Sequence, residues 1–418
     1  MYYTFLLKGA YIMSSFIVSG GKPLSGTLTV GGSKNAVLPI IFSTLTCHGV
    51  SVIKNVPDIT DVDDAIALIS AFGARVKRDG TTLTVDTSSL EYVSPDETLT
   101  ERIRASTYLM GACLARFGEV SLSRFGGCNF ENRPIDLHIY AFKTMGAEEA
   151  SDRLVMKKNK DSDIVLAKPS VGATANTLIL SASIPRTTRI FGYAKEPHIT
   201  VLSDFLRSAG AKIELGSDFI EVEGRGLLGG RIEIPGDRIE AGTFSLLSLI
   251  TGGEVSVCGV ASNELSRLTE PLLHAGAAVR TENNSITVSG SLTKPVSFVA
   301  EPYPGLPTDL QPVIAPVLGV FRGGGLTDRV FPSRFGYLNQ LAAFGLSAEF
   351  NDGSAWVFPS RLAPACVSVP DLRAGAALLL TALKVDGESR IDRADIIKRG
   401  YGDVIKKLSS IGAQIYEI

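Results

Sequence analysis

Apolar residues at helical spacing end in a glycine at six places along the chain. Stretches such as "VLSDFLRSAG" and "YGDVIKKLSSIG" place apolar residues on one helix face, and short alternating segments such as "AKIEL" and "AQIYEI" follow them. A glycine just beyond a helix readily takes the left-handed conformation that ends it. The pattern therefore predicts six helices that each stop at a glycine and lead into a strand. The glycines are Gly73, Gly146, Gly210, Gly276, Gly345 and Gly412.

The spacing of these glycines predicts an internal repeat. Successive glycines lie 73, 64, 66, 69 and 67 residues apart, and a second β-rich segment such as "GEVSVCGVA" or "GESRIDRAD" recurs once per unit. Six units that mix strands and helices predict an α/β protein built as two domains of three units each. A repeat solenoid that only binds partners fits the same spacing.

Composition limits the classes of partner. The chain has 418 residues, 45% of them hydrophobic, and its net charge of −2 argues against nucleic-acid binding. No apolar run reaches the roughly 18 residues that span a bilayer, so no membrane partner is expected. Five scattered cysteines without a CxxC spacing argue against disulfides and favour a reducing, cytoplasmic location. The N-terminus lacks the basic region of a secretion signal, and Met1 and Met13 are both candidate starts.

Two stretches with glycine precede predicted helices. "GGSKNAVLPI" sets Lys34 and Asn35 directly after a glycine pair, and "LAKPSVGATANTLIL" sets Lys168, Ser170 and Gly172 before a helix. Free backbone N–H groups at a helix N-terminus, with a lysine nearby, can bind phosphate. A solvated turn in the first stretch and an ordinary N-cap in the second explain the same residues without a ligand.

The stretch "RFGGCNFENRPIDLH" places Cys128 in a polar, glycine-containing loop. A structural cysteine is usually buried among apolar neighbours, whereas a reactive one lies near positive charge. Arg133 would lower the pKa of the thiol, and Glu131 would raise it. The loop therefore indicates a reactive thiol whose pKa depends on which neighbour dominates.

Further polar residues indicate one site for an anion. Asp309 lies between prolines in "PTDLQP", where it is a candidate general base or an ordinary turn cap. Several arginines lie in loops or at predicted helix ends, and guanidinium groups suit phosphate and carboxylate. These arginines are Arg104, Arg133, Arg334, Arg373 and Arg399. The four histidines, His48, His138, His198 and His274, are isolated from one another, so no metal site is expected.

Taken together, these motifs resemble those of the enolpyruvyl transferases, and among them the enzymes whose acceptor is UDP-N-acetylglucosamine. The resemblance runs from about Phe16 to Ile418 and rests on "GGSKNA", "IRAS", "GGC…RPIDLH", "KPSVGAT", "DRIEAGTF", "PTDLQ", "DLRA" and "RGY". It implies an α/β fold, a two-domain inside-out α/β barrel with three βαβαββ-like units in each domain. The implied domains are residues 34–235 and residues 1–33 plus 236–418.

The resemblance also implies a reaction. The enolpyruvyl group of phosphoenolpyruvate is transferred to the 3′-hydroxyl of the nucleotide sugar, and phosphate is released. Such a reaction needs an acid at carbon 3, a group that takes the hydroxyl proton, and a cationic clamp for the anion. By resemblance these are Cys128, Asp309, and Lys34 with Arg399.

The remaining site residues follow from the resemblance alone. The implied phosphoenolpyruvate site consists of Lys34, Arg133, Arg399, Arg104 and Arg373. The implied nucleotide-sugar site consists of Asn35, Arg104, Arg133, Pro134, Ile135, Asp136, Leu137, His138, Lys168, Ser170, Val171, Gly172, Asp309 and Val330. Arg334 and Asp371 match further active-site positions. No metal, organic cofactor or obligate protein partner is implied; the implied role is peptidoglycan synthesis, with Cys128 as the target of fosfomycin.

Three stretches depart from the family pattern. The loop usually written "GGCAIG(A/S)RP" is "GGCNFENRP" in this chain, "EPEIVDLA" is "EPHITVLS", and "HIDRGYE" is "IIKRGYGD". The second change replaces an acid with His198. Two alternatives to the cell-wall enzyme therefore stay open. One is a paralogue that uses another uridine nucleotide, such as uridine monophosphate, and the other is a non-catalytic homologue that only binds nucleotide sugars.

Overall fold

The computed structural model describes residues 14–122, 134–158, 161–282 and 284–418. Within them the chain alternates short strands with helices. The strands are β1 (Ser15–Gly20), β2 (Ser25–Thr29), β3 (Val50–Lys54), β4 (Arg75–Asp79), β5 (Thr82–Asp86), β6 (Glu119–Ser121), β7 (Ala147–Ala150), β8 (Arg153–Met156), β9 (Ser162–Val165), β10 (Thr187–Phe191), β11 (Lys212–Leu215), β12 (Phe219–Glu223), β13 (Arg231–Glu233), β14 (Glu254–Cys258), β15 (Ala277–Glu282), β16 (Ser285–Gly290), β17 (Phe298–Ala300), β18 (Gly324–Asp328), β19 (Ser347–Asn351), β20 (Ser354–Phe358), β21 (Cys366–Ser368), β22 (Gly387–Asp392) and β23 (Gln414–Glu417).

The helices connect these strands, and short 3-10 turns precede some of them. The helices are α1 (Lys34–Ser43), α2 (Thr60–Ala71), α3 (Glu97–Thr100), α4 (Leu109–Phe117), α5 (Asp136–Thr144), α6 (Val171–Ser183), α7 (Pro197–Ala209), α8 (Arg238–Thr251), α9 (Ser266–His274), α10 (Gln311–Val320), α11 (Tyr337–Ala343), α12 (Leu372–Lys384), α13 (Asp395–Lys398) and α14 (Val404–Ser410). In the described part of the chain, no helix combines the length and the apolar character needed to cross a bilayer.

The predicted helix-ending glycines are confirmed. Each of the six follows a helix and precedes a strand, and the φ angles of the six glycines run from 92° to 122°. Residues that carry a Cβ atom rarely adopt positive φ, because this atom crowds the backbone, whereas glycine adopts positive φ freely. The hydrophobic pattern therefore located α2, α5, α7, α9, α11 and α14 and the strands that follow them.

Six sheets form in the described residues, and five of them share one arrangement. In each of the five, a single strand lies parallel to its neighbour, and that neighbour pairs antiparallel with the next strand. The five orders are β13-β3-β5-β4, β11-β12-β10-β9, β15-β16-β14-β2, β17-β18-β20-β19 and β21-β22-β1-β23, and the sixth sheet is β6-β8-β7. In β21-β22-β1-β23, β1 pairs with both β22 and β23; these are the first strand and the last two strands of the described residues.

Buried apolar side chains form two separate clusters. The first core runs from Ala36 to Ile234. The second core combines Phe16 to Val30 with Ile239 to Ile415. The chain therefore passes between the cores twice, once after β2 and once after β13. Strand pairing agrees with this division, because β2 pairs with β14 and β13 pairs with β3.

The two crossing segments lie side by side at the joint between the cores. Gly32 and Gly236 form an antiparallel bridge, and the Ser33 N–H donates to the Pro235 carbonyl oxygen at 2.8 Å. A Cβ atom on Gly32 would lie 1.8 Å from the carbonyl oxygen of Asn55. That oxygen belongs to the backbone and cannot simply rotate away. The joint therefore requires glycine at this position.

We expect Gly32→Ala to lower the free energy of unfolding by about 2–3 kcal/mol, because the added methyl group forces backbone atoms apart. Urea denaturation at neutral pH measures the change. Gly226→Ala is the matched control, because a Cβ atom there meets nothing within 4 Å. The control should stay within about 0.5 kcal/mol of the parent protein. Equal losses in the two variants would contradict the steric explanation.

Candidate functional site

The candidate site consists of two clusters of charged side chains. In the first cluster, the buried carboxylate of Asp61 joins the two cores. Asp61, in the first turn of α2, lies 2.8 Å from Lys34 Nζ through Oδ2 and 2.8 Å from Arg399 Nε through Oδ1. Lys34 begins α1 in the first core, whereas Arg399 follows α13 in the second. One carboxylate of the first core therefore pairs with a cation from each core.

The same contacts set the charge state of this cluster. Burial raises the pKa of Asp61, but Lys34 and Arg399 outweigh burial and keep that pKa below its usual value. Burial lowers the pKa of Lys34, Arg399 and Arg373 lower it further, and Asp61 offsets part of the shift. The carboxylate is therefore ionised, and it is the counter-ion that keeps a buried lysine close to two arginines.

A second carboxylate, Asp309, organises the other half of the site. It lies in the 3-10 turn Thr308–Leu310, 3.0 Å from Arg334 Nη2 and 2.9 Å from Arg373 Nη2. Asn35 Nδ2, from the first core, is 3.4 Å from Asp309 Oδ2. Burial alone would raise the pKa of Asp309, but Arg373 and Arg334 hold it well below its usual range.

This arrangement limits what Asp309 can do. As an ionised carboxylate it can accept a hydrogen bond from a hydroxyl group. With both oxygens paired to arginines it is a weak proton acceptor, because protonation would leave two buried guanidinium groups unbalanced. Proton abstraction by Asp309 therefore requires that one arginine contact lengthen.

Neighbouring groups fix the two arginines. Arg334 Nη1 donates to Thr308 Oγ1 at 3.0 Å, and that hydroxyl donates to Asp328 at 2.5 Å. Arg373 Nη1 lies 3.4 Å from the hydroxyl of Tyr401, which is buried. These contacts place the guanidinium groups before any ligand binds, so little ordering remains to be done on binding.

Two predicted residues have positions that are mainly structural. Asp371 caps α12, where its Oδ1 accepts from the N–H groups of Arg373 and Ala374 at 2.9 and 3.1 Å. The backbone N–H of Val330 donates to Asp328 Oδ1 at 2.9 Å. Asp371 therefore positions the helix that carries Arg373, and Val330 belongs to the loop behind Arg334.

The predicted nucleotide-sugar stretches also meet. Ser170 caps α6, with its Oγ accepting from the Ala173 N–H at 3.3 Å. His138, on α5, packs so closely on Gly172 that a Cβ atom there would lie 3.0 Å from the imidazole. His138 Nδ1 is 2.9 Å from the amide nitrogen of Asn176. The structure thus brings residues 134–138 and 168–172 into contact through His138 and Gly172.

The environment of His138 keeps it neutral. Burial lowers its pKa to about 4, and the nearby charge of Arg104 lowers it as well. A neutral imidazole beside an amide suits a structural and orienting role. Asp136 begins α5 directly after Pro134 and Ile135, Leu137 packs against the first core, and Lys168 is exposed next to Ser170.

Cys128 and Arg133 lie outside the described residues, so the structure does not place the predicted acid or the arginine beside it. Asp61 and Tyr401 were not predicted. In "DITDVDD" the aspartate resembles an ordinary acid in the first turn of a helix, and only the fold brings Arg399 to it across 338 residues of sequence. In the described ranges, no group of three or more His, Cys, Asp or Glu side chains could hold a metal ion.

We expect Asp61→Asn to lower the free energy of unfolding by about 3 kcal/mol, because it removes the buried negative charge that pairs with Lys34 and Arg399. The low pKa of Asp61 means that this contribution is present at neutral pH and is lost only as the pH falls through that pKa. Denaturant titration at pH 7 measures the loss.

Asp64→Asn, on the same helix, is the control. Burial raises the pKa of Asp64 to about 6, so its charged form already destabilises the fold. Neutralising it should cost less than about 1 kcal/mol. A loss at Asp64 as large as that at Asp61 would show that the Asp61 cluster has no special role.

Comparisons with known proteins show the family of the chain. The sequence profile described as EPSP synthase (3-phosphoshikimate 1-carboxyvinyltransferase) matches residues 18–408. The UDP-N-acetylglucosamine 1-carboxyvinyltransferase of Halothermothrix orenii is 37% identical over 97% of the chain and 100% of the relative. In Streptococcus agalactiae serotype Ia, UDP-N-acetylglucosamine 1-carboxyvinyltransferase 1 is 36% identical over 96% of the chain and 99% of the relative.

Solved structures share the fold of this chain. The crystal structure of the enolpyruvyl transferase NikO from Streptomyces tendae has a TM-score of 0.86 and 25% identity, covering 97% of this chain and 99% of NikO. EPSP synthase from Acinetobacter baumannii has a TM-score of 0.73 at 17% identity, covering 97% of this chain and 100% of that one, and so supports the fold alone. Its fold, and relatives that match it over nearly their whole length, place this chain in the EPSP synthase family of enolpyruvyl transferases.

Proposed function

We propose that the protein is a UDP-N-acetylglucosamine 1-carboxyvinyltransferase. It transfers the enolpyruvyl group of phosphoenolpyruvate to the 3′-hydroxyl of the acceptor and releases phosphate. The observation that carries this assignment is the identity of 36–37% to enzymes of that name along almost the whole chain. The paired clusters around Asp61 and Asp309 supply the cations and the carboxylate that the reaction needs.

The Asp61 cluster is the proposed phosphoenolpyruvate site. Lys34 and Arg399 converge on a carboxylate at distances of 2.8 Å, which is the spacing at which they would also hold phosphate oxygens. An incoming phosphate competes with Asp61 for these cations. Arg373 lies close enough to influence the pKa of Lys34, so it adds positive charge as phosphate begins to leave.

The Asp309 cluster is the proposed acceptor site. The carboxylate accepts the hydrogen bond of the 3′-hydroxyl, and Asn35 holds the acceptor from the other core. As the hydroxyl attacks carbon 2, its proton passes to Asp309. For this transfer, a contact between Asp309 and one of the arginines that lower its pKa must lengthen. Residues 134–138 and 168–172 hold the uridine diphosphate part, which is supported by their mutual contact at His138 and Gly172.

Cys128 is proposed as the acid that protonates carbon 3 of phosphoenolpyruvate, and Arg133 as an additional phosphate ligand. The two cores are proposed as two domains, residues 34–235 and residues 1–33 plus 236–418, each an inside-out arrangement of three βαβαββ-like units. Substrate binding would close the cleft between them. The cellular role proposed is peptidoglycan precursor synthesis in the cytoplasm, on which cell shape and division depend.

The first test is turnover. Purified protein with phosphoenolpyruvate and UDP-N-acetylglucosamine should release one phosphate per enolpyruvyl group transferred, measured by a coupled phosphate assay and by mass spectrometry of the product. Cys128→Ala should reduce the rate at least 100-fold, because general acid catalysis contributes about 10²–10⁴. Binding of the nucleotide sugar without turnover would favour the non-catalytic homologue.

A second acceptor class remains a candidate because of the similarity to NikO and the "NFEN" departure beside Cys128. The same assay with uridine monophosphate separates the two. Turnover with the amino sugar that exceeds turnover with uridine monophosphate by more than tenfold supports the cell-wall enzyme. Equal or faster turnover with uridine monophosphate would instead support the paralogue that uses another uridine nucleotide.

The second test is alkylation by fosfomycin, a phosphonate epoxide. We expect one covalent adduct on Cys128, because the epoxide needs a thiolate near a phosphate-binding clamp. Intact-mass measurement detects it, and Cys128→Ser should remove it. Cys366→Ser is the control, because this exposed thiol lies near Asp392 rather than near the clamp. An adduct that survives Cys128→Ser and disappears in Cys366→Ser would contradict the assignment.

A further inference from the structure

One buried aspartate binds the starts of two helices that belong to different cores. Asp237 precedes α8, and its Oδ1 accepts from the backbone N–H groups of Ile239 and Glu240 at 2.8 and 3.2 Å. Its Oδ2 accepts from the backbone N–H of Lys34, the first residue of α1, at 2.9 Å. Asp237 is only 5% exposed. A single carboxylate therefore satisfies N–H groups at a helix start in each core.

The residue in the N-cap position of α1 does not make this contact itself. Ser33 directly precedes Lys34, but its hydroxyl makes no capping hydrogen bond with the described residues. The N–H groups at a helix start have no partner within the helix, and a serine in this position often supplies one. Asp237 takes that role from the other core, and its negative charge suits the positive end of both helix dipoles.

The backbone just before Lys34 is attached to the second core as well. The Gly31 N–H donates to Glu240 Oε2 at 2.7 Å, and the Gly31 carbonyl oxygen accepts from the Asp237 N–H at 2.9 Å. Residues 31–34 are thus fixed to the segment that leads into α8. Among these bonds, the one from Lys34 to the Asp237 side chain is nearest to the proposed phosphoenolpyruvate site.

This attachment determines where the ammonium group of Lys34 lies. The backbone N–H of Lys34 is bonded to Asp237 in the second core, whereas Lys34 Nζ is 2.8 Å from Asp61 Oδ2 in the first core. Both ends of the residue are therefore fixed by carboxylates, one from each core. In the proposed function, a substrate phosphate displaces Asp61 from Nζ. The contact with Asp237 then still holds the backbone of Lys34 in place.

The same contact favours the side chain of Lys34, rather than the start of α1, as the phosphate ligand. A helix N-terminus binds phosphate through backbone N–H groups that have no other partner. The N–H of Lys34 is already bonded to Asp237, whose negative charge would repel a phosphate at that position. The charge of Asp237 also reaches the other cations. Burial lowers the pKa of Arg373, but Asp309 and Asp237 contribute to raising it above its usual value.

We propose that Asp237 is a positioning residue for the phosphoenolpyruvate site: it holds the backbone N–H of Lys34 and thereby fixes the point from which the ammonium group reaches the phosphate. This inference rests on the function proposed above. A displacement of about 1 Å in such a group can lower a rate by about 100-fold, although the charge itself is kept. Asp237 acts through Lys34 and does not touch the substrate.

Two substitutions separate this contact from the cap of α8. In Asp237→Asn the amide oxygen can still accept from Ile239 and Glu240, but the amide nitrogen cannot accept from Lys34. In Asp237→Ser a good N-cap residue remains, but it has one oxygen for two helices. For both variants we expect kcat/KM for phosphoenolpyruvate to fall roughly tenfold or more, and the KM for UDP-N-acetylglucosamine to stay within about threefold.

Inhibition by inorganic phosphate is the second readout, because phosphate binds the cations without the acceptor and without chemistry. Its inhibition constant against phosphoenolpyruvate should rise about fivefold or more in both variants. Loss of a negative charge alone would tighten phosphate binding, so weaker binding identifies a loss of position. The midpoint of thermal unfolding should fall by no more than about 4 °C, since the cap of α8 is kept.

Glu240→Gln is the matched control. Glu240 is buried in the first turn of α8, and its Oε1 pairs with Lys407 Nζ at 2.6 Å. Glutamine removes a negative charge from the same turn and keeps an oxygen for the N–H of Gly31, while the contact between Asp237 and Lys34 remains. This variant should keep kcat/KM for phosphoenolpyruvate and the phosphate inhibition constant within about twofold of the parent protein.

The outcomes distinguish this inference from the proposed function. If the parent protein converts UDP-N-acetylglucosamine and both Asp237 variants keep kcat/KM for phosphoenolpyruvate, the inference is wrong and the function stands. If both KM values rise together with a large fall in the unfolding midpoint, Asp237 is only a structural cap and the inference is also wrong.

If the parent protein does not convert the nucleotide sugar, the proposed function fails, and calorimetry with inorganic phosphate decides the inference separately. Phosphate binding that is weakened about fivefold or more in Asp237→Asn and Asp237→Ser supports it. Unchanged or tighter binding in these variants, or no binding to the parent protein, contradicts it.

Discussion

Charge compensation across the boundary between the two cores is the constraint on which the site depends. Four cationic side chains of the site are largely buried: Lys34, Arg334, Arg373 and Arg399. Without buried anions, the repulsion between these charges would destabilise the folded state. Asp61 and Asp309 supply those anions. Since Asp61 holds cations from both cores, the relative position of the cores and the charge of the site are set by the same contact.

This constraint explains why the site is rich in arginine. A guanidinium stays charged when buried and can bond two groups at once, so Arg373 reaches both Asp309 and Tyr401. Lys34 is the exception, because burial lowers its pKa and the carboxylate of Asp61 offsets that effect. In the proposed function a substrate phosphate replaces Asp61 as the counter-ion, which links the protonation of Lys34 to occupancy of the site.

Local pattern predicted much of the fold and only part of the site. Helix-ending glycines such as Gly210 and Gly412 need positive φ whatever the rest of the chain does, so the sequence shows them directly. Asp309, Arg373 and Arg399 were predicted from motifs. The structure pairs Arg373 with Asp309, and the charges of Arg373 and Arg399 both act on Lys34. Asp61 was missed because its partner Arg399 is distant in sequence, and because the stretch "TDVDD" that contains Asp61 is typical of an ordinary helix start. The arginine-paired state of Asp309 also depends on tertiary contacts that no single motif contains.

The pairing of β1 with β22 and β23 has a consequence for synthesis of the chain on the ribosome. β1 waits for β22 and β23, more than 360 residues later in the chain, before its sheet can form. The core from Ala36 to Ile234 needs none of those late strands and can fold while synthesis continues. The other core gains this sheet only after β22 and β23 have been made. Until then β1 lacks both of its partner strands, and Asp61 has Lys34 but not Arg399. A chain truncated before β22 would therefore contain a folded first core without the contact that joins Asp61 to the second core.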